Sequence, residues 1–263
     1  MANPANATTG RGGRRFYTWG RGERYWSVTT ILGALPKDAL KFWAAKSVAE
    51  FAVDRSSTWM TMKRDEAIDW LKREPLRYTN ERADFGSAVH EAAEAYTLKR
   101  PTRGDWSDEE RRAIGQFLKF VETLEVRYLL AEAGVYNRTQ RYAGTLDGVV
   151  VIPHRCLVAL ASGDASKVPW EPDADGMVTL LIDYKTGGEW ESRKGVKPEV
   201  ALQLAGYAHA EFVGLPNGHE SPLPRVDGAA VVHIRPEGWR LVPVDALRDD
   251  VFRSFLYVRE VFR

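Results

Sequence analysis

Val178-Thr-Leu-Leu-Ile-Asp-Tyr-Lys185 decides how the chain is read. The β-branched and apolar run over 178–182 has the character of a buried central strand, yet it passes without a break into Asp183 and Lys185. Alternate residues of a strand share a face, so this carboxylate and this ammonium are presented together while Tyr184 points the opposite way. A plain ion pair at a strand end would use the same two residues, so chemistry has to be sought in what surrounds them.

Outward from this stretch, the runs 135–140 and 148–152 read as strands of the same sheet, and 229–234 with 239–244 as a strand pair around Pro236-Glu237-Gly238. Between them, 162–176 is rich in Gly, Asp, Ser and Pro and suits an exposed loop. Helical spacing fills most of the rest. Residues 27–52 read as helix interrupted at Pro36, with Thr29 and Thr30 as caps and Leu40, Trp43, Ala44, Val48 and Phe51 on one face. Further helices are predicted over 65–72, 80–98, 107–129, 199–213 and 245–263, the fourth helix of the front half opening on a Ser107/Glu110 capping box. Gly20 and Gly22 between aromatic and β-branched residues predict a hairpin over 15–25. Residues 1–15 lack any apolar period and read as a disordered basic tail; Arg11, Arg14 and Arg15 serve there as phosphate contacts or as a merely solvated leader. The expected fold class is α/β, a central mixed β-sheet flanked by helices. It forms one domain over 16–263, divided into a mainly helical portion over 16–80 and a core over 81–263.

The bulk numbers bound the function. With 263 residues, 44% hydrophobic and 28% charged, the composition is that of a soluble globular protein with room for a sizeable core. A net charge of +1 leaves any nucleic-acid partner to be met by a local basic surface. No apolar run approaches the roughly 18 residues of a membrane span, which predicts a cytoplasmic protein with no membrane partner. One cysteine, Cys156, supplies neither a disulfide nor a zinc or iron–sulfur site, and it is expected as a small core residue. Trp19, Trp26 and Trp190 could stack on single-stranded bases, although packing is the commoner use of tryptophan.

Four short patterns recur in order: Gly86-Ser-Ala-Val-His90, Gly144-Thr-Leu-Asp147, Asp183-Tyr-Lys185 and Gln203-Leu-Ala-Gly-Tyr207. Asp147 stands at the boundary of an apolar strand and meets Asp183 if the two strands pair. Two close carboxylates disfavour each other's ionisation unless a cation neutralises them, and hard oxygen ligands suit Mg²⁺ or Mn²⁺. Such an ion beside a lysine is the equipment of phosphodiester cleavage. His90 shares a helical face with Glu94, but the second histidine of the zinc-protease pattern His-Glu-x-x-His is absent. Gln203 and Tyr207, one turn apart, present an amide and a phenol to one surface, or simply make an ordinary helix face.

As an ordered set these patterns resemble the PD-(D/E)XK nuclease superfamily, in particular its RecB-like exonuclease branch, over roughly 82–234. Residues 27–32 with Trp43-Ala-Ala are similar to the start of phage-encoded members. The resemblance implies a restriction-endonuclease-like core and cleavage of DNA with Mg²⁺ or Mn²⁺, in recombination, repair or phage DNA metabolism. It implies His90, Asp147, Asp183 and the backbone carbonyl of Tyr184 as metal ligands and Lys185 as the catalytic lysine. Gln203 and Tyr207 match the helix motif that positions the lysine and the DNA, with Glu94 as a neighbouring candidate. The cysteines of the family's iron–sulfur members are missing, so no cluster is expected, and with no helicase phosphate loop any unwinding motor is another protein. An exonuclease, with a homo-oligomeric ring suited to processive action, is the first reading. An endonuclease on the same core and a DNA-binding protein that no longer cuts are the alternatives.

Overall fold

The structure, a computed structural model, describes residues 6–36, 38–102, 104–186 and 196–262. Trp190, residues 1–5, Arg263 and the side chain of Leu40 lie outside them, and with them those parts of the expectations above. The chain divides into two compact units, one made of Met1–Ala34 with Ala88–Arg263 and the other of Leu35–Ser87. The helical portion is therefore a separate cluster over 35–87, where the sequence suggested 16–80 within a single domain.

The first unit begins with β1 (Ala7–Thr9), β2 (Arg15–Trp19) and β3 (Glu23–Ser27), followed by the short helix α1 (Val28–Leu32). β1 pairs antiparallel with β2, so the expected disordered tail does not extend through residues 6–15. Gly20 (φ 58°) and Gly22 (φ 90°) turn the chain between β2 and β3 in a left-handed conformation that only glycine adopts without strain. Ser27 occupies the N-cap of α1, while Thr30, expected as a cap, accepts from the Arg15 amide at 2.9 Å.

The second unit holds α2 (Asp38–Asp54), α3 (Ser56–Trp59), α4 (Arg64–Lys72) and residues 74–87 of α5 (Glu74–Thr97). Partly exposed aromatic side chains pack within it. Phe51 and Trp70 stack with ring centres 4.6 Å apart, Trp43 meets Tyr78 at 5.6 Å, and the Arg77 guanidinium covers both rings of the first pair.

The first unit resumes with residues 88–97 of α5 and continues through α6 (Asp108–Thr123), β4 (Arg127–Asn137), β5 (Tyr142–Pro153), α7 (His154–Leu160) and β6 (Met177–Thr186). It ends with α8 (Pro198–Ala208), β7 (Phe212–Gly214), β8 (Glu220–Ser221), β9 (Gly228–Arg235), β10 (Gly238–Val244) and α9 (Asp249–Phe262). The ten strands form one mixed sheet. β5 pairs antiparallel with β4 and β6 and parallel with β3, while β6 pairs parallel with β9, which in turn pairs antiparallel with β10.

α6 opens on the Ser107/Glu110 capping box and buries Ala113, Phe117, Phe120 and Val121 along one stripe. It stops at Thr123, short of the expected 129. Glu125 takes a left-handed φ of 49° and the Val126 amide bonds back to the Val121 carbonyl at 2.9 Å, closing the helix without a glycine to announce it. Residues 127–129 open β4 instead. Likewise 209–213 is not helix, because α8 ends at Ala208 and Phe212 enters β7. α7 occupies residues for which no element was expected, and Cys156 on it is half-buried beside Glu125, not in the core.

β6 is buried on both faces. Val178, Leu180 and Ile182 are fully covered, each such side chain contributing about 1.5–3 kcal/mol. Tyr184 packs edge-on against Phe117 at 5.7 Å and Trp239 of β10 against Phe120 at 5.4 Å, so α6 covers one face of the sheet. Asp183, next to Tyr184, points to the other face, where Gln203 of α8 meets it. Trp19 belongs to an aromatic cluster with Tyr17, Tyr25, Tyr136 and Phe212, and Trp26 packs on Phe16 and Phe262. Among the described residues, no helix is long and apolar enough to cross a membrane.

Candidate active site

The β5–β6 ladder places Gly148 opposite Ile182, so the next residues in register are Asp147 and Asp183. Asp147 therefore lies inside β5, not at its boundary, because the strand begins at Tyr142. Its Oδ2 accepts the Tyr184 backbone N–H at 2.6 Å. Its Oδ1 lies 3.6 Å from His90 Nδ1, on the part of α5 that belongs to this unit.

A fourth group completes the cluster. Glu132 Oε1 lies 3.7 Å from the same His90 nitrogen, and ligand atoms of His90, Glu132 and Asp147 all fall within 4.8 Å of one another. In β4, Ala131 pairs with Gly148 and Ala133 with Leu146, which sets Glu132 across from Asp147. Glu132 holds a left-handed φ of 46°, a conformation that costs a non-glycine residue about 1–2 kcal/mol. Sequence reading missed it. Its only signal was an acid inside the apolar stretch Leu129-Leu-Ala-Glu-Ala-Gly-Val135.

Asp183 is 3% exposed. Its Oδ1 accepts from Gln203 Nε2 at 3.1 Å, and Lys185 Nζ approaches Oδ2 to 2.5 Å. That approach lacks hydrogen-bond direction, so Oδ2 is a buried carboxylate oxygen with an adjacent charge but no directed donor. Gln203 Nε2 also reaches the Tyr207 hydroxyl at 3.2 Å, one turn along α8. Tyr207 has room only because residue 144 is glycine: a Cβ there would overlap its Cε1 atom. The Gly-x-x-Asp and Gln-x-x-x-Tyr patterns are thus halves of one packing arrangement.

The electrostatics follow from burial. Burial pushes the Asp147 carboxyl above the usual carboxylate range and Glu132 adds to this, against His90 and Lys185. Burial and then the charge of Asp147 push Asp183 up to about 6, against Lys185 and His90. For His90, burial opposes protonation, but Asp147, Glu132 and Asp183 outweigh it and raise the imidazole to about 9. Carboxylates that resist ionisation around an imidazole that attracts a proton mark a site short of positive charge.

The other candidates fall in place around this centre. The His90 ring stands edge-on to Tyr184 at 5.8 Å, and the Tyr184 hydroxyl bonds to that of Tyr128. Glu94 does not join the cluster; it faces Arg100 at 3.4 Å, with 41% of its side chain exposed. His90, Asp147, Asp183, Tyr184, Lys185, Gln203 and Tyr207, drawn from separate stretches of sequence, are connected through direct contacts. Compared with protein-family models and with curated proteins, the chain gives no match, so the chemistry has to be read from these contacts.

Proposed function

We propose that the protein is a metal-dependent nuclease that hydrolyses the phosphodiester backbone of DNA, built on a restriction-endonuclease-like core and working in the cytoplasm. The observation that carries this reading is the meeting of Asp147, Asp183, His90 and Glu132 beside Lys185. The donor set fits a divalent cation: ligand atoms of two carboxylates and one imidazole, Glu132, Asp147 and His90, gather within 4.8 Å of one another with the buried Asp183 carboxylate beside Asp147, and oxygen-rich ligation suits Mg²⁺ or Mn²⁺. His90, Asp147 and Asp183 would hold the ion, with the Tyr184 carbonyl and Glu132 as further ligands. When bound, the cation supplies Lewis acidity, drawing charge from a phosphodiester and making water a better nucleophile near neutral pH.

The chain's own residues supply the rest. Asp183 tethers the Lys185 ammonium, which donates to the attacking water or to the phosphate oxygens as charge builds on them. Gln203 fixes the rotation of the Asp183 carboxylate, and Tyr207, a neutral phenol under burial, fixes Gln203. These two are positioning residues, removed from the reacting atoms. Hydrolysis needs no nucleophile from the protein, since water attacks phosphorus and the bridging oxygen leaves. A protein that only grips DNA gains nothing from buried carboxylates facing a polyanion, which weighs against the non-cleaving alternative.

The test is incubation with end-labelled linear DNA and covalently closed circles in Mg²⁺, Mn²⁺ or EDTA. Metal-dependent loss of linear DNA alone supports an exonuclease and nicking of circles an endonuclease. DNA left intact in both metals refutes the reading.

A further inference from the structure

On the face of the sheet that carries Asp183, the parallel β6–β9 ladder sets Lys185 beside His233, and the β9–β10 ladder sets His233 beside Arg240. The assignment of face is independent of that register: Tyr184 and Trp239, the neighbours of Lys185 and Arg240 in sequence, both pack on α6 from the opposite side. A row therefore runs from the candidate centre across β9 to β10, Lys185 and Arg240 flanking the buried His233, about 10 Å from Lys185 to Arg240 at the usual strand spacing. Arg240 is exposed and makes no ion pair among the described residues. Arg235, on the same face at the end of β9, has its Nε buried with no hydrogen-bond partner among the described residues. The fixed charge and donor fork of a guanidinium suit a phosphate. The row also lies at the carboxyl ends of the parallel strands β6 and β9, where open α/β sheets receive ligands.

We propose that Arg240 and Arg235 form a phosphate track along which a nucleic-acid strand leaves the catalytic centre, crossing β9 and β10. The proposal rests on the nuclease reading and adds to it a direction for the substrate on one side of the scissile bond. At about 10 Å from Lys185, Arg240 touches the backbone away from the cleaved bond. It is a positioning residue for polymer substrates, and a minimal phosphodiester does not reach it.

The experiment measures binding of a short fluorescein-labelled single strand by anisotropy across a salt titration, with Ca²⁺ as the cation, for the full chain and for Arg240→Ala, Arg240→Lys and Arg253→Ala. Loss of one phosphate contact predicts a slope of log K against log salt shallower by about 0.7, and affinity about fivefold to tenfold weaker at low salt, for Arg240→Ala alone. Arg240→Lys keeps the slope, and Arg253→Ala on α9 leaves both unchanged. In cleavage, Arg240→Ala raises KM and spares kcat, and it acts normally on a minimal phosphodiester. If the chain binds with this Arg240-dependent slope yet cuts nothing in Mg²⁺ or Mn²⁺, the nuclease reading falls and the track stands. If it cuts while Arg240→Ala matches wild type in slope and KM, the track is overturned alone, and absence of strand binding overturns it as well.

Discussion

Replacing Asp183 by Asn removes one negative charge from the candidate centre while keeping its shape and the oxygen that accepts from Gln203. The Asp183 carboxyl, ordinarily near 3.8, is raised to about 6 by burial first and by Asp147 second. A folded-state value above the unfolded one means that the folded protein holds the proton more tightly. The associated stability is fully present below the ordinary carboxylate value and is lost as pH rises to about 6 and beyond. At about pH 8 without metal, ionised Asp183 therefore costs the fold about 3 kcal/mol, most of which Asn recovers. For a chain of this size that is a melting temperature about 5–10 °C above wild type. In Mg²⁺ the gap closes, because a cation at about a hundred times its dissociation constant adds about 2.7 kcal/mol to wild type and little to the variant. Scanning calorimetry at about pH 4 and about pH 8, in EDTA and in Mg²⁺, reads all four states. An Asp183→Asn protein that melts below wild type at the higher pH in EDTA, or gains as much from Mg²⁺, refutes the reasoning.

Glu132→Gly removes a ligand and releases the left-handed strain, so the metal-free protein should gain about 1 kcal/mol while the Mg²⁺ requirement rises, read by melting and by metal titration. Gly144→Ala drives a methyl group into the Tyr207 ring and should cost about 1–3 kcal/mol by denaturant melting, with activity falling alongside. Tyr207→Phe takes away only the hydroxyl beside Gln203; a several-fold loss of kcat is expected, against near-complete loss for Asp183→Asn.

How far the sequence speaks depends on where ordinary local rules govern the chain. The β6 run announced both its burial and the shared face of Asp183 and Lys185, because strand alternation holds to its end. The Ser107/Glu110 box gave the start of α6 because capping is a contact between near neighbours. Its end was hidden, since Glu125 takes a conformation for which glycine or asparagine is the usual sign. Glu132 was concealed because β4 changes register between Tyr128 and Leu130 just before it and because its left-handed backbone carries no glycine or asparagine to mark it. β1 carries no apolar pattern of its own and is held by pairing with β2, and the link between Gly144 and Tyr207 exists only once β5 and α8 meet.

The most direct test of the central claim sets wild type beside Lys185→Ala on one end-labelled DNA, with Mg²⁺ and with EDTA, after both proteins are shown to be folded and to bind that DNA. Wild type should cleave in Mg²⁺ only, and Lys185→Ala should bind without cleaving in either. Cleavage that persists in Lys185→Ala, or in EDTA, contradicts the account.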